Sequence, residues 1–248
     1  MTGFKERDKN SSCKVLSGLR VICFRSTERN SDKGNKTTPL VNSGLFPSAC
    51  VIDKQPKHMQ LQTILNELEK LGSQNDSVQN DKSRKYLNIT KDTGEFLHVV
   101  VKATKAKHIL EIGTSNGYST IWLASALPED GMVTTIDISP QKISEAKRNL
   151  EKAQLNNFVQ VLTGDVCDIL GDLDNPFDII FLDADRSSYI SILPSLQRLL
   201  KPGGLMICDN AVSHKDELKE FMDFFTTDSR FATSLVPIGK GEFMIVKL

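Results

Sequence analysis

The sequence predicts an α/β fold in which a doubly wound, mostly parallel sheet of seven strands ends in an antiparallel hairpin. Short apolar runs rich in β-branched residues alternate with longer segments of helical periodicity, the pattern of parallel strands joined by helices. A glycine-containing loop joins the first strand to the next helix, and acids follow the strand ends. A ligand site is therefore expected at the carboxyl edge of the sheet.

The chain is electrically balanced, which limits the classes of partner. It has 248 residues, with 31 Lys and Arg against 31 Asp and Glu, so no overall basic field attracts nucleic acid or an anionic membrane. No apolar run approaches the roughly 20 residues of a membrane-spanning helix. The 5 cysteines lack Cys-x-x-Cys spacing, which favours a reducing compartment. These observations predict a cytoplasmic protein without nucleic-acid or membrane partners.

Residues 1–56 differ in composition from the rest of the chain. They are rich in Ser, Asn, Thr and Lys, their basic residues outnumber their acids, and they show no periodicity. The segment is predicted to be a disordered basic extension, and residues 57–248 are predicted to form the α/β domain. A plastid or mitochondrial transit peptide is the alternative, although Glu6 and Asp8 near the start argue against it.

Two helices are expected before the first strand. Apolar residues recur on one helical face from Lys57 to Leu71, and Gly72 suits the C-terminal stop of that helix. Asp92 and Glu95 stand at capping-box-like spacing at the start of the second helix. These helices are predicted to be an N-terminal addition to the sheet.

The next segment predicts a strand, a glycine loop and a helix. The strand Ile109–Ile112 ends at Gly113, and Gly117 closes the loop. A dinucleotide site needs Gly-x-Gly-x-x-Gly, but Ser115 stands where the second glycine belongs, and Glu111 would repel a diphosphate. An NAD-dependent dehydrogenase is therefore disfavoured. S-adenosylmethionine fits better, because it carries an ammonium and a sulfonium and no phosphate.

Strands and helices alternate through the remainder of the chain. The predicted strands are Met132–Ile136, Phe158–Leu162, Phe177–Leu182, Leu205–Cys208, and a hairpin of Thr233–Pro237 and Glu242–Lys247. The predicted helices are Pro140–Ala153, Tyr189–Leu200 and one that Ser213 caps and that runs to Phe225. The turn Gly239-Lys240-Gly241 is assigned no chemistry.

An acid lies at the end of each of the first five strands. These acids are Glu111, Asp137, Asp165, Asp183 and Asp209. Single Asp residues are common in turns. Acids that border one crevice repel one another unless cations share it, so a cation-binding site is favoured over a set of solvated turns.

Three of these acids suit the methyl donor. Asp137 is positioned to accept the ribose hydroxyls, and Asp165 to accept the adenine amino group. Glu111 and the loop amides suit the amino-acid end of the donor, with Ser119 donating to its carboxylate. The loop residues expected to contact the donor are Gly113, Thr114, Ser115 and Gly117.

Asp183, Asp209 and Asn210 remain as hard oxygen ligands on neighbouring strand ends. Oxygen ligands of this kind predict a Mg²⁺ site, with Ca²⁺ as the alternative. Water and substrate oxygens would complete the coordination.

Several segments resemble the metal-dependent class I S-adenosylmethionine O-methyltransferases of the caffeoyl-coenzyme A and catechol type. The matching segments are Asp92–Leu97, Leu110–Ser119, Leu127–Gly131, Phe181–Tyr189 and Asp209-Asn210. The resemblance covers residues 57–248 and implies a Rossmann-like methyltransferase fold. It also implies that Asp183, Asp209 and Asn210 bind a divalent ion that grips two vicinal hydroxyls of a small catechol or phenolic substrate. Relatives are often dimers, so a homodimer through the first helix stays an alternative.

Two departures from the family pattern leave alternatives open. Arg186 stands where family members commonly have Lys, and because Arg stays protonated, it would hold a phenolate or carboxylate instead of accepting a proton. A surface pair with Asp185 and a catalytically inactive donor-binding protein are the alternatives. The chain after Asn210 enters a helix almost at once, which argues against a bulky ester substrate.

Methylation of a hydroxylated tRNA uridine is a further alternative, disfavoured by the neutral charge. His214 is predicted to be simply exposed.

Overall fold

The computed structural model describes the backbone of residues 57–248 and the side chains of residues 60–248. Its sheet has seven strands in the order β3-β2-β1-β4-β5-β7-β6. The strands are β1 (His108–Ile112), β2 (Met132–Asp137), β3 (Val159–Thr163), β4 (Phe177–Leu182), β5 (Leu200–Cys208), β6 (Phe231–Val236) and β7 (Glu242–Lys247). The first five are parallel, whereas β7 is antiparallel to both β5 and β6. The predicted fold class is confirmed.

Seven α-helices connect or precede these strands in the part of the chain that the structure describes. They are α1 (Lys57–Val78), α2 (Lys91–Thr104), α3 (Tyr118–Ala126), α4 (Pro140–Lys152), α5 (Val166–Asp172), α6 (Tyr189–Leu199) and α7 (Lys215–Thr227). The strand order reverses direction between β1 and β4. A crevice at this switch point, beyond the carboxyl ends of the strands, is the usual ligand position in such folds.

Alternating side chains of the buried strands pack against helices on both faces of the sheet. In β4, Ile179 and Phe181 contribute to the apolar cluster that contains residues of α1, α2 and α3. Ile180 and Leu182 contribute to the opposite cluster, with α5, α6 and α7. This two-sided burial explains the nearly continuous apolar sequence of β4. It also holds the strand ends that carry the acids in fixed positions.

Several predicted boundaries differ from the structure. Helix α1 continues past Gly72 to Val78, so the predicted stop is wrong. A Cβ on Gly72 would lie 2.5 Å from Nδ2 of Asn88, so the missing side chain permits close packing instead. Thr90, not Asp92, caps α2, and His214, not Ser213, is the residue before α7.

The sequence analysis missed one helix, α5, and predicted β5 too short. Helix α5 has only 7 residues, too few to show a clear period. Strand β5 begins at Leu200, ahead of the predicted start at Leu205, so it includes Lys201–Gly204. The 1–56 extension lies outside the described residues.

Among residues 57–248, no helix has both the length and the apolar character needed to cross a bilayer.

Candidate active site

The loop after β1 turns sharply at two glycines. Gly113 has φ +109°, and a Cβ on it would lie 2.1 Å from the carbonyl oxygen of Asp183. Gly117 has φ +85°, and a Cβ there would lie 3.2 Å from that of Ala146. Both positions favour glycine because the left-handed conformation carries no steric cost without a Cβ. The loop therefore packs directly against the chain at the end of β4.

Glu111, on β1, is fully buried within a set of hydroxyl groups. Its Oε2 accepts hydrogen bonds from Thr120 Oγ1 at 2.5 Å and Thr135 Oγ1 at 2.6 Å. Thr114 Oγ1 lies 2.6 Å from Thr135 Oγ1, and it donates there because the Thr135 hydrogen points to the carboxylate. Oε1 has no hydrogen-bond partner among the described residues.

Burial raises the pKa of Glu111 to about 7, against the opposing effect of the Ser119, Thr120 and Thr135 hydroxyls. Asp137 raises this pKa further through its negative charge. The carboxyl group is therefore protonated in a large fraction of molecules at neutral pH. A cation beside Oε1 would favour the ionised form, as the predicted contact with the donor ammonium requires.

Asp137, at the end of β2, shapes the same loop. Its Oδ2 accepts a 2.8 Å hydrogen bond from the Ser115 N–H, and its Oδ1 accepts one of 2.8 Å from the Ser139 N–H. Ser115 has φ +46°, a conformation that non-glycine residues adopt at some cost. The Asp137 contact offsets part of that cost. A ribose would have to use the lone pairs of this carboxylate that remain.

The chain between α1 and α2 also contacts the loop. Ser115 Oγ donates to the Tyr86 carbonyl at 2.7 Å. Asp76, in the last turn of α1, accepts hydrogen bonds from the N–H groups of Tyr86 and Leu87 at 2.8 and 3.0 Å. The chain before α2 is thus fastened to the glycine loop.

The two other residues predicted to contact the donor differ in exposure. Ser119 is 6% exposed. Asp165 is exposed and precedes α5, where its Oδ1 accepts a 2.8 Å hydrogen bond from the Cys167 N–H. This contact is an N-terminal helix cap. The second oxygen of Asp165 is left for a ligand.

Asp183, Asp209 and Asn210 come together at the ends of β4 and β5, as predicted from their positions. Asn210 Nδ2 lies 3.1 Å from Asp183 Oδ1 and 3.1 Å from Asp209 Oδ2. The Asn210 backbone N–H also donates to Asp209 Oδ1 at 2.6 Å. Asn210 has φ +69°, which Asn tolerates better than most residues. Its amide therefore bridges the two carboxylates.

Glu242, the first residue of β7, is a fourth member of this site that the sequence analysis missed. It is fully buried, and its Oε1 accepts a 2.9 Å hydrogen bond from Thr93 Oγ1 of α2. Its carboxyl group also contacts that of Asp209. An acid beside a hairpin turn is ordinarily exposed. No local signal identified it, because its partner Thr93 is 149 residues away in the sequence.

Burial raises the pKa of each of these acids, and repulsion by neighbouring acids raises it further at Asp183 and Glu242. The pKa of Asp183 rises to about 7, first through burial and then through Asp209. The pKa of Glu242 rises to about 9 through burial, Asp209 and Asp183, and that of Asp209 is raised mainly by burial. Glu242 Oε2 has no hydrogen-bond partner among the described residues. The cluster holds more carboxyl groups than its surroundings neutralise.

This arrangement fits a divalent cation. Two carboxylates and an amide supply hard oxygen donors, and rotation of the Asn210 amide by half a turn would point its oxygen, instead of its nitrogen, at the acids. A cation would also relieve the repulsion that raises the pKa values. Within residues 60–248, no cluster of three or more His, Cys, Asp or Glu side chains is arranged to hold a metal, so any such site depends on the Asn210 oxygen, water and substrate.

Arg186 lies beside this cluster with a partner that the sequence did not predict. Its Nε donates to Glu217 Oε2 of α7 at 2.7 Å, and its side chain is only 12% exposed. Asp185 instead accepts a hydrogen bond from the Ser187 N–H, so the predicted surface pair of Arg186 with Asp185 is wrong. The charge of Arg186 lowers the pKa of both Asp183 and Asp209.

The prediction that His214 is simply exposed is also wrong. This residue is half-buried, and its Nδ1 lies 2.8 Å from Ser213 Oγ. Ser213 Oγ in turn lies 3.4 Å from Asn210 Oδ1. The helix that follows thus begins against the acid cluster.

The comparisons with known proteins agree with this geometry. Residues 57–248 match the O-methyltransferase family. The chain is 38% identical to a catechol O-methyltransferase from Niastella koreensis over 138 residues, 54% of this chain and 62% of that protein. It thus spans less than two thirds of that relative. It is 29% identical to caffeoyl-CoA O-methyltransferase 2 from Populus trichocarpa over 174 residues, 60% of this chain and 70% of that protein.

A solved structure shares the fold. The O-methyltransferase from Bacillus cereus in complex with SAH gives a TM-score of 0.64 at 27% identity, covering 80% of this chain and 94% of that one. The sheet is thus of the class I methyltransferase type. The chain belongs to the O-methyltransferase family, and the resemblance predicted from its motifs is confirmed.

Proposed function

We propose that this protein is an S-adenosylmethionine-dependent O-methyltransferase that requires a divalent cation and methylates one hydroxyl of a small vicinal diol, a catechol or related phenolic. One observation supports this most directly. The loop assigned to the donor and the strand end assigned to the acceptor touch, because a Cβ on Gly113 would lie 2.1 Å from the Asp183 carbonyl. A methyl group held by one side would face a hydroxyl held by the other.

The donor side of the proposed site has a role for each predicted residue. Glu111, the loop amides and Ser119 hold the amino-acid end of S-adenosylmethionine. Asp137 accepts the ribose hydroxyls, and Asp165 accepts the adenine amino group. SAH, which remains when the donor has lost its methyl group, is bound in the Bacillus cereus structure.

On the acceptor side, Asp183, Asp209 and Asn210 hold the cation, Mg²⁺ in preference to Ca²⁺. The bound ion supplies Lewis acidity, which lowers the pKa of a hydroxyl placed against it. Arg186 stays protonated and stabilises the negative charge on the acceptor oxygen. Glu217 and the burial of the guanidinium keep Arg186 in position. The names of the relatives, catechol and caffeoyl-CoA O-methyltransferase, agree with a phenolic acceptor.

A methyl-transfer screen tests the proposal. Catechol, a flavonoid and bulk tRNA would be offered with the donor, with Mg²⁺ or with a chelator. We expect transfer to catechol that requires Mg²⁺ and that stops with the chelator. Activity indifferent to the chelator would contradict the metal requirement. Transfer to tRNA with inert catechol would favour the uridine alternative, and donor binding by calorimetry without any transfer would favour an inactive binding protein.

A further inference from the structure

Lys240, which the sequence analysis assigned no chemistry, lies on a turn that is fixed beside the acid cluster. The Lys240 carbonyl accepts hydrogen bonds from the Val212 and Ser213 N–H groups, both at 3.0 Å. These residues lie two and three positions after Asn210 in the chain. The Ala211 N–H donates to the Gly241 carbonyl at 2.8 Å. The β6–β7 turn is thus fastened to the loop that carries the proposed metal ligands.

The glycines on either side of Lys240 leave the turn little freedom. Gly239 has φ +57°, and a Cβ on it would lie 2.2 Å from Thr93 Oγ1. Gly241 has φ +96°, and a Cβ there would lie 2.4 Å from a methyl carbon of Val212. The Gly239 N–H also donates to Asp92 Oδ2 at 3.1 Å. The turn is therefore wedged between α2 and the 211–213 loop, with Lys240 at its tip.

Lys240 is a half-buried residue. Within the described residues its ammonium forms no ion pair and no hydrogen bond. Its charge nevertheless lowers the pKa of both Asp183 and Asp209, so it lies within electrostatic reach of both carboxylates. Arg186, the other cation beside the cluster, already pairs with Glu217 at 2.7 Å. Lys240 is thus the cation beside the cluster that has no partner among the described residues.

We propose that Lys240 binds an anionic substituent of the methyl acceptor, so that the preferred substrates are vicinal diols bearing a carboxylate. This rests on the proposed function, because the acceptor is the ligand expected to enter beside Asp183 and Asp209. A partly desolvated ammonium gains more from a carboxylate than from a neutral group. The fixed turn holds the ammonium near the diol site before the acceptor arrives, which lowers the entropy cost of binding.

The rival explanation is that Lys240 only balances the negative charge of Asp183 and Asp209. In that case its removal changes the activity toward charged and neutral acceptors by the same factor. The two explanations therefore predict different ratios of the activity toward charged acceptors to the activity toward neutral ones. The activity toward a single acceptor does not distinguish them.

The test compares 3,4-dihydroxybenzoate with 3,4-dihydroxybenzamide, which has the same size and no charge. kcat/KM for each would be measured in the wild type, Lys240→Met, Lys240→Arg and the exposed control Lys152→Met, with Mg²⁺ present. We expect the wild type and Lys152→Met to prefer the carboxylate. Lys240→Met should lower the ratio of kcat/KM for the carboxylate to kcat/KM for the amide about tenfold, equivalent to about 1.4 kcal/mol. This change should arise mainly through KM. Lys240→Arg should retain most of the wild-type preference for the carboxylate. Added salt should also lower the wild-type ratio.

Equal loss for both acceptors in Lys240→Met, or a wild type without preference for the carboxylate, would overturn the inference. Catechol itself serves as the reference substrate. If wild-type enzyme that binds the donor fails to methylate catechol or either derivative, the proposed diol methylation is wrong, and the inference falls with it. Methylation of catechol with no charge preference would overturn the inference alone.

Discussion

Glu111 and the acid cluster at the ends of β4 and β5 show two ways of burying carboxyl groups in one site. Hydroxyls surround Glu111, and two of them donate to the same oxygen. Asp183, Asp209 and Glu242 face one another instead, with one bridging amide from Asn210 and one hydroxyl from Thr93. Neutral donors satisfy one oxygen of Glu111 and leave Oε1 without a partner among the described residues. The acid cluster instead keeps raised pKa values although the charges of Arg186 and Lys240 lie beside it.

The largest expected effect is on the acceptor side. Asp183→Asn keeps the size of the side chain but removes a carboxylate from the proposed metal site. Turnover should fall roughly a thousandfold, equivalent to about 4 kcal/mol, while the dissociation constant of the donor stays nearly unchanged. Because the variant also removes like-charge repulsion, it should melt at a higher temperature than the wild type without metal. Weakened donor binding would contradict the separation of the two sides.

Next in size is the effect of pH on stability through Glu111. Because its folded-state pKa of about 7 lies above the ordinary value of 4.5, folding takes up a proton between these values. The stability contribution of this group falls as pH rises from 4.5 to 7 and stays low above pH 7. Glu111→Gln cannot ionise, so it should gain up to about 3 kcal/mol relative to the wild type between pH 4.5 and pH 8. Urea unfolding at the two pH values measures this, and a constant difference would contradict it.

The third prediction concerns Asp137, on the donor side of the site. Asp137→Ala removes the proposed ribose acceptor and should weaken donor binding by roughly 1.5–3 kcal/mol in calorimetry. Metal dependence of the remaining turnover should persist. Asp137→Asn is the matched control, because it retains one oxygen acceptor for the loop N–H groups. If Asp137→Ala abolishes metal dependence as well, the two sides are not independent.

The smallest expected effect concerns Thr93. Thr93→Val removes the hydroxyl that donates to Glu242 Oε1 and should lower the free energy of unfolding by about 1 kcal/mol. Thr93→Ser keeps the hydroxyl and should recover most of that loss. A Thr93→Val variant as stable as the wild type would show that Glu242 obtains its compensation elsewhere.

The parts of the site that the sequence predicted share a physical cause. Parallel strands bring their carboxyl ends to one edge of the sheet, so Asp183, Asp209 and Asn210 could be placed together from strand order alone. The glycine spacing likewise predicted the loop at Gly113. These inferences need only local patterns and one rule of topology.

The residues that the sequence did not predict depend on pairings between distant segments. Strand β7 lies between β5 and β6, and this position, not its local sequence, brings Lys240 and Glu242 to the acids. The partner of Arg186 is Glu217, 31 residues further along the chain. Gly72 was misinterpreted for a similar reason, because its small size serves a contact with Asn88.

The position of β7 also constrains the order in which the protein folds. Within residues 57–248, strand β6 pairs only with β7, so it can join the sheet only together with β7 or after it. The two strands are joined by a short turn, and such local pairs form faster than contacts between distant segments. Docking of this hairpin onto β5 completes the sheet. The same docking step brings Lys240 and Glu242 to the acids at the ends of β4 and β5. A molecule in which the hairpin has not docked would therefore have the donor loop but an incomplete acceptor site.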